Sequence, residues 1–247
     1  METGPGSRHV ALVFPKLPER VISKTARVED DIRSVDAYFS HPIDTFGLEL
    51  KIQFELERLS ISQSRKSFHR IAVEPVITSY WPSLCQKDLK IETIENLTSM
   101  LIGRKAERRT GPIWADGLEG VRVVFEAART IDRWMIDVSS IREAGYSPVE
   151  EAIILYAKTV FSHPFRDGNG RLARAMLYSS LARKNVIRTP CLGFGPIFDA
   201  ARLTLAQATL LLSNTGDWQP YMELVLSLLQ RSVLQVTRVI QSAYHCR

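Results

Sequence analysis

An all-α protein with a single β-hairpin is predicted by three observations. Apolar residues recur at spacings of three and four along most of the chain, one 13-residue stretch (149–161) is apolar on nearly every side, and convincing strand signals are confined to residues 111–125. Together they give about eight helices around one buried central helix.

Taken in order, residues 1–23 carry Gly4, Gly6, Pro5, Pro15 and Pro18 with only 9–14 strand-like, so an extended leader is expected. Helical spacing follows through Val35, Tyr38 and Phe39, through Leu48, Ile52, Leu56 and Leu59, and through Ile91, Ile94, Leu97 and Leu101. Between the last two, Pro75 and Pro82 bracket a stretch expected to be irregular, because an interior proline removes a helix hydrogen bond and clashes with the preceding turn. Ile113-Trp114 and residues 121–125 flank Asp116-Gly117, a dipeptide suited to a tight hairpin turn. Ser147-Pro148-Val149-Glu150 reads as the start of the central helix, with a hydroxyl cap, a proline in the first turn and an early carboxylate. A helix from about Gly168 to Lys184 and two more over 203–212 and 218–240 complete the set. Two parts are expected: 1–90, a leader and helical extension with an inhibitory or target-binding role, and 91–247, the catalytic core.

Composition removes several function classes. Of 247 residues 45% are hydrophobic and 24% charged, enough apolar material for one substantial core. The longest stretch without charge, 203–216, is 14 residues, short of the roughly 18 needed to span a bilayer. No basic start followed by a long apolar run opens the chain, so a cytoplasmic protein is expected. Cys85, Cys191 and Cys246 are odd in number and widely spaced, which suits a reducing compartment rather than a disulfide framework. The net charge of +5 contains no block of five or six basic residues, so no nucleic-acid arm is expected. Arg104-Lys105-Ala106-Glu107-Arg108-Arg109 is read as a solvated helix end.

Chemistry concentrates in HPFRDGNGRLAR, residues 163–174. Pro164 disfavours helix at the residue before it, so the central helix ends at His163. Gly168-Asn169-Gly170 permits a nest of backbone amides where the next helix opens, and amides plus the positive dipole end make an anion site. Arg171 and Arg174, three apart, lie on one helix face and can grip phosphate oxygens. Asp167 at the rim of a phosphate site would be repelled without an intervening cation, which makes it a magnesium ligand. A dinucleotide fingerprint is rejected because helix and proline, not a strand, precede the glycines. An EF-hand fails because Arg171 occupies a ligand position and Tyr178 stands where the closing Glu belongs.

Without a mismatch, His163 to Arg174 resembles the Fic family signature, His-x-Phe-x-Asp/Glu-Gly-Asn-Gly-Arg-x-x-Arg. The resemblance extends weakly over residues 90–235: the 111–125 hairpin lies where the family has its flap, and GDWQPYMELVL (216–226) looks like its closing helix. It implies a Fic-type helical bundle with a hairpin flap and transfer of AMP from ATP to a Tyr, Thr or Ser hydroxyl of a target protein or of the chain itself. The phosphotransferring branch of the family carries Lys where this chain has Gly170. The implied roles are His163 as base, Asp167 as Mg²⁺ ligand, Asn169 and the Gly168 and Gly170 amides as stabilisers of developing charge, and Arg171 and Arg174 as holders of the leaving pyrophosphate. An unperturbed imidazole, pKa ~6.5, suits the base role at neutral pH. The hairpin offers a strand edge on which a target peptide could dock.

Many Fic proteins restrain themselves with a Glu that pairs with the second arginine, here Arg174, on a helix reading Ser/Thr-x-x-x-Glu-Gly/Asn. The nearest segment is Thr25-Ala26-Arg27-Val28-Glu29-Asp30, with Asp in the last place, which makes Glu29 the inhibitory candidate. The other reading is that Glu29 and Asp30 favour the first turn of a surface helix. No Glu follows Glu223, so no inhibitory helix of that type is expected after it. A homodimer or a separate inhibitory protein stays open. So do transfer of another nucleotide, removal of AMP on the same site, and a non-catalytic nucleotide-binding interaction module.

Overall fold

The computed structural model describes residues 17–39, 73–86, 88–111, 114–116, 122–124, 131–190 and 192–245. The helix expected around 48–59 and the strand-like 9–14 lie outside them. In chain order the elements are α1 (Glu19–Tyr38), α2 (Val73–Leu84), α3 (Ile91–Ile102), β1 (Trp114–Asp116), β2 (Arg122–Val124), α4 (Ile131–Glu143), α5 (Pro148–Ser162), α6 (Asn169–Arg183), α7 (Phe194–Ala200), α8 (Arg202–Thr215) and α9 (Gln219–His245). The class is all-α. No helix among the described residues is long and apolar enough to cross a membrane.

The axis of the fold is α5. Its start is a complete capping box: Glu150 N donates to Ser147 Oγ (3.4 Å), Ser147 N donates to Glu150 Oε2 (2.9 Å), and Pro148 occupies the first turn, where its missing N–H costs nothing. All but two of its side chains are buried, and α6 is its principal neighbour. Burying a helix all round requires that its charges be paired. Glu151, fully buried, accepts from Arg183 Nη2 at 2.6 Å and from Ser180 Oγ at 2.9 Å, which ties α5 to α6. Lys158 Nζ lies 3.0 Å from Asp137 Oδ2, which ties α5 to α4.

Around this pair, α1 lays Val28, Ile32 and Val35 into the core against α9 and α5, so 19–38 belongs to the same hydrophobic body as the helices after residue 90. It begins at Glu19, inside the stretch expected to be an extended leader. One further expectation is corrected. Residues 75–82 lie within one helix, α2: Pro75 falls in its first turn, where its missing N–H costs nothing, and Pro82 is held inside it. Two helices that sequence reading did not single out, α4 and α7, bury Trp134, Val138 and Ile141, and Phe194 and Phe198.

β1 and β2 pair antiparallel with Trp114 opposite Val124, Ala115 opposite Val123 and Asp116 opposite Arg122. Asp116 is therefore a strand residue, and the connection runs over 117–121, outside the described residues, rather than turning at Asp116-Gly117.

Candidate active site

The α5–α6 junction carries the site. Helix α5 stops at His163, whose φ of 45° and ψ of 57° put a non-glycine residue in the left-handed region. Such a conformation costs on the order of 1–3 kcal/mol unless the surroundings enforce it, and it turns the chain sharply out of the helix. His163 N still donates to Thr159 O (3.1 Å), and the ring Nδ1 lies 3.0 Å from Val160 O. Only a protonated Nδ1 bonds to a carbonyl, so the neutral ring carries its lone pair on Nε2. Burial drives the imidazole pKa down to about 4, with the positive charge of Arg109 pushing the same way, while the Val160 bond and Asp167 oppose it. The ring is thus neutral well below the range expected from an unperturbed histidine.

The loop after His163 is closed by its own residues. Asn169 is buried and spends both ends of its amide on Phe165, accepting from Phe165 N (3.0 Å) and donating to Phe165 O (2.8 Å). Its side chain thus ties the two ends of the loop together. Phe165 itself is fully buried. Gly168 has φ 85°, and a Cβ there would stand 2.6 Å from Ile102 Cγ2 and 3.3 Å from Thr98 Cγ2, so both its torsion and its packing against α3 require glycine. Nothing lies within 4 Å of where a Gly170 Cβ would sit. The fold leaves that space open at the start of α6, where the amides of 169–171 have no acceptor within the helix, since the first intrahelical bond is Leu172 N to Gly168 O (2.9 Å).

Asp167 Oδ1 accepts from Gly168 N (2.6 Å), and Oδ2 accepts from Arg104 Nη2 (3.0 Å). Partial burial would raise its carboxyl, but the Arg104 bond, the Gly168 amide and the charge of Arg171 outweigh it and hold the pKa below the ordinary carboxylate value. Its carboxylate is half exposed, and no group of three or more His, Cys, Asp or Glu among the described residues could hold a metal by itself. A single accessible carboxylate fits Mg²⁺, which keeps its waters and takes most protein-side ligation from one or two carboxylates plus substrate phosphates.

The two arginines part company. Arg171 Nη1 donates to Leu101 O at the end of α3, and its Nη2 is 3.9 Å from Asp167 Oδ1. Arg174 turns toward α7, where Nη1 meets Asp199 Oδ1 at 3.2 Å; its side chain is 8% exposed and its Nε is buried without a hydrogen-bond partner. The arginines therefore flank the start of α6 from two sides instead of forking together. Tyr156, buried on α5, senses this pair: burial raises its phenol to about 12, which Arg174 moderates and Asp199 reinforces.

Glu29 does not reach Arg174. It lies in the middle of α1, accepts from Arg33 Nε (3.2 Å) and Nη2 (2.8 Å), and Arg33 Nη1 goes on to Asn185 O (2.7 Å). Neither an inhibitory contact nor a first-turn position describes it. The basic cluster at 104–109 is also more than a solvated end: Arg109 is 4% exposed, and residues 107–109 run antiparallel beside 164–166. Asp199 and Arg109 were missed by sequence reasoning. Asp199 has one retrospective signal, as the only charge between Arg188 and Arg202; Arg109, one base among several, has none.

A histidine-capped central helix joined by an Asp-Gly-Asn-Gly turn to an arginine-bearing partner is the core of a Fic fold. Residues 88–181 match the Fic/DOC family model. It is 35% identical over 104 residues to the protein adenylyltransferase fic-1 of Caenorhabditis elegans, covering 41% of this chain and 18% of that protein. It is 26% identical over 184 residues to the Caenorhabditis briggsae protein of the same name, covering 74% and 31%. The protein adenylyltransferase Fic of Drosophila ananassae is 25% identical over 208 residues, covering 77% and 40%. The chain thus spans less than half the length of these curated relatives. Among solved structures, a Fic family protein from Desulfovibrio desulfuricans superposes with a TM-score of 0.67 at 13% identity, over 91% of this chain and 76% of that one. Fic-1 from C. elegans superposes with a TM-score of 0.56 at 15% identity, over 92% and 75%. These structures share the fold.

Proposed function

We propose that the chain is a protein adenylyltransferase, moving AMP from ATP to a Tyr, Thr or Ser hydroxyl of a target protein or of itself. The observation that carries this reading is the state of His163: a ring held neutral, with Nδ1 engaged with Val160 O, at the α5–α6 turn. A binding module has no use for a poised proton acceptor there.

In this reading the substrate oxygen attacks the α-phosphorus, its proton passes to His163 Nε2, and the bond to the β-phosphate breaks so that pyrophosphate leaves. The amides at the start of α6, including Gly170, receive developing negative charge, and Arg171 and Arg174 hold the departing phosphates. Asn169 and Gly168 act through the loop, keeping its turn in register. Asp167 would hold Mg²⁺, which when bound neutralises phosphate charge; Arg104 must release the carboxylate for that. The two strands each have a second edge that a target backbone could pair with, and residues 1–90 would recognise the target or restrain the site. The cytoplasm is the setting this chemistry assumes.

The test is incubation with each of four α-labelled nucleoside triphosphates, Mg²⁺ and a cell lysate, with mass spectrometry of the modified bands. Labelling from ATP, lost in His163→Ala while the variant still binds ATP, is the expected result. Undiminished labelling by that variant would refute the base assignment, and preference for another nucleotide would replace AMP as the transferred group.

A further inference from the structure

We infer that Arg109 is the positioning residue of the site: it grips the carbonyls of Ser162 and Pro164, one on either side of His163, and so holds the base in its left-handed conformation. The inference rests on His163 being the base.

Two carbonyls bracket the strained residue, Ser162 O before it and Pro164 O after it, and both accept from Arg109. The guanidinium Nη2 donates to Ser162 O (3.0 Å), and the Arg109 backbone N donates to Pro164 O (2.9 Å). One residue of a distant segment thus fixes the chain on either side of a φ of 45°. The grip does not stand alone. Arg108 bridges Phe165 in antiparallel fashion, and Arg166 N donates to Glu107 O (2.9 Å), so 107–109 forms a short ladder along 164–166. The main-chain part of that ladder could be made by any residue other than proline. Only a long buried cation reaches across to the last carbonyls of α5, where the negative end of the helix dipole favours positive charge. Arg109 is 4% exposed, unlike its neighbours Lys105 and Arg108, which face solvent. A surface arginine has no need of such burial; one that fixes a helix end does.

The same placement has an electrostatic result. The charged groups acting on the ring are Arg109, which disfavours a second proton, and Asp167, which favours it. Arg109 therefore both shapes the turn and keeps the ring in the proton-accepting form.

Charge and reach are separated by two variants of the full chain. Arg109→Gln loses both the charge and the reach to Ser162 O; Arg109→Lys keeps the charge but loses the planar fork. Three readouts are taken on each: ATP binding, kcat and KM for labelling, and the His163 pKa by NMR, which needs no turnover. In Arg109→Gln the His163 pKa rises by about 1 unit or more, the size expected on removing a nearby like charge. In Arg109→Lys it stays near the wild-type value. Both lower kcat by about 10-fold or more at nearly constant KM for ATP, as misplacement of a reacting group does. The inference is overturned if Arg109→Gln leaves both kcat and the His163 pKa unchanged, or if both variants lose ATP binding in parallel with kcat, the mark of a purely structural residue. Absence of labelling by the unaltered chain would sink the proposed reaction while leaving the NMR result to decide on the clamp.

Discussion

Replacing the two glycines of the turn with alanine should separate stability from chemistry: Gly168→Ala loses stability, whereas Gly170→Ala keeps it and loses labelling. At Gly168 the new methyl meets Ile102 Cγ2 at 2.6 Å on a backbone with φ 85°. The left-handed torsion costs about 1–2 kcal/mol for a residue with a Cβ, and overpacking against α3 about 1–3 more. Their sum, roughly 2–5 kcal/mol, is a fall in Tm on the order of 10 °C for a chain of this size. At Gly170 nothing stands within 4 Å of the added carbon, and the residue is already helical. Alanine there removes unfolded-state freedom, so stability holds or rises by up to about 0.8 kcal/mol. Its methyl nevertheless adds bulk to the open space beside the start of α6. If that space receives phosphate, kcat/KM for labelling drops about 10-fold to 100-fold, the effect of a displacement near 1 Å. Thermal melts and labelling of both variants read this out. A Gly170→Ala protein that labels as well as the unaltered chain would show that the anion is not bound there, whatever its stability.

Other perturbations follow from the charges. With a folded pKa of about 4 against roughly 6.5 unfolded, His163 takes up a proton more readily in the unfolded chain, so stability falls as pH drops from 6.5 to 4 and is fully retained above that window. The loss is at most roughly 3 kcal/mol, and urea titrations of His163→Gln should show it removed; an equal slope in the variant would place the titration elsewhere. Asp199→Asn takes a charged competitor off Arg174 while keeping the shape of the side chain. Exchanging a charge-assisted bond for a neutral one, about 1 kcal/mol, predicts an ATP Kd about 5-fold lower, measured by calorimetry without a target; a raised Kd would mean that Asp199 orients Arg174 for the phosphate instead.

Legibility in the sequence tracked how local the determinant was. The central helix announces itself because capping and burial are written in contiguous residues: Ser147 and Glu150 close the box, and the apolar run does the rest. The α5–α6 turn is equally local, since Pro164 and the two glycines set it. What the sequence hides is contact at a distance. Arg109 sits 53 positions from the carbonyl it grips, and Asp199 sits 25 from Arg174. No periodicity encodes either separation. The two prolines of α2 misled in different ways: Pro75 lies in the first turn, which the rule exempts, and Pro82 lies inside a helix that buries Val76, Ile77 and Leu84 on either side of it. The ring that Asn169 closes with Phe165 was equally hidden, because an amide beside two glycines does not say which backbone groups it will meet.

The depressed proton affinity of His163 raises a question the proposed chemistry must answer, because a base near pKa 4 is always available at neutral pH but binds the abstracted proton weakly. The charges around it supply an answer. The turn is dominated by cations, Arg109 above all, with Arg104 and Arg171 drawn to Asp167. A polyphosphate seated at the start of α6 adds negative charge beside the ring and reverses that balance. The proton affinity should then rise when the nucleotide arrives, by about 1–2 units for an opposite charge within a few ångströms. The base would be neutral in the empty site and strengthened in the loaded one. An NMR titration of the His163 ring, assigned by its loss in His163→Ala, with and without an ATP analogue whose α–β linkage cannot be cleaved, measures this directly. A pKa unmoved by saturating analogue would place the polyphosphate too far from the imidazole for proton transfer, and the assignment of His163 as base would fall with it.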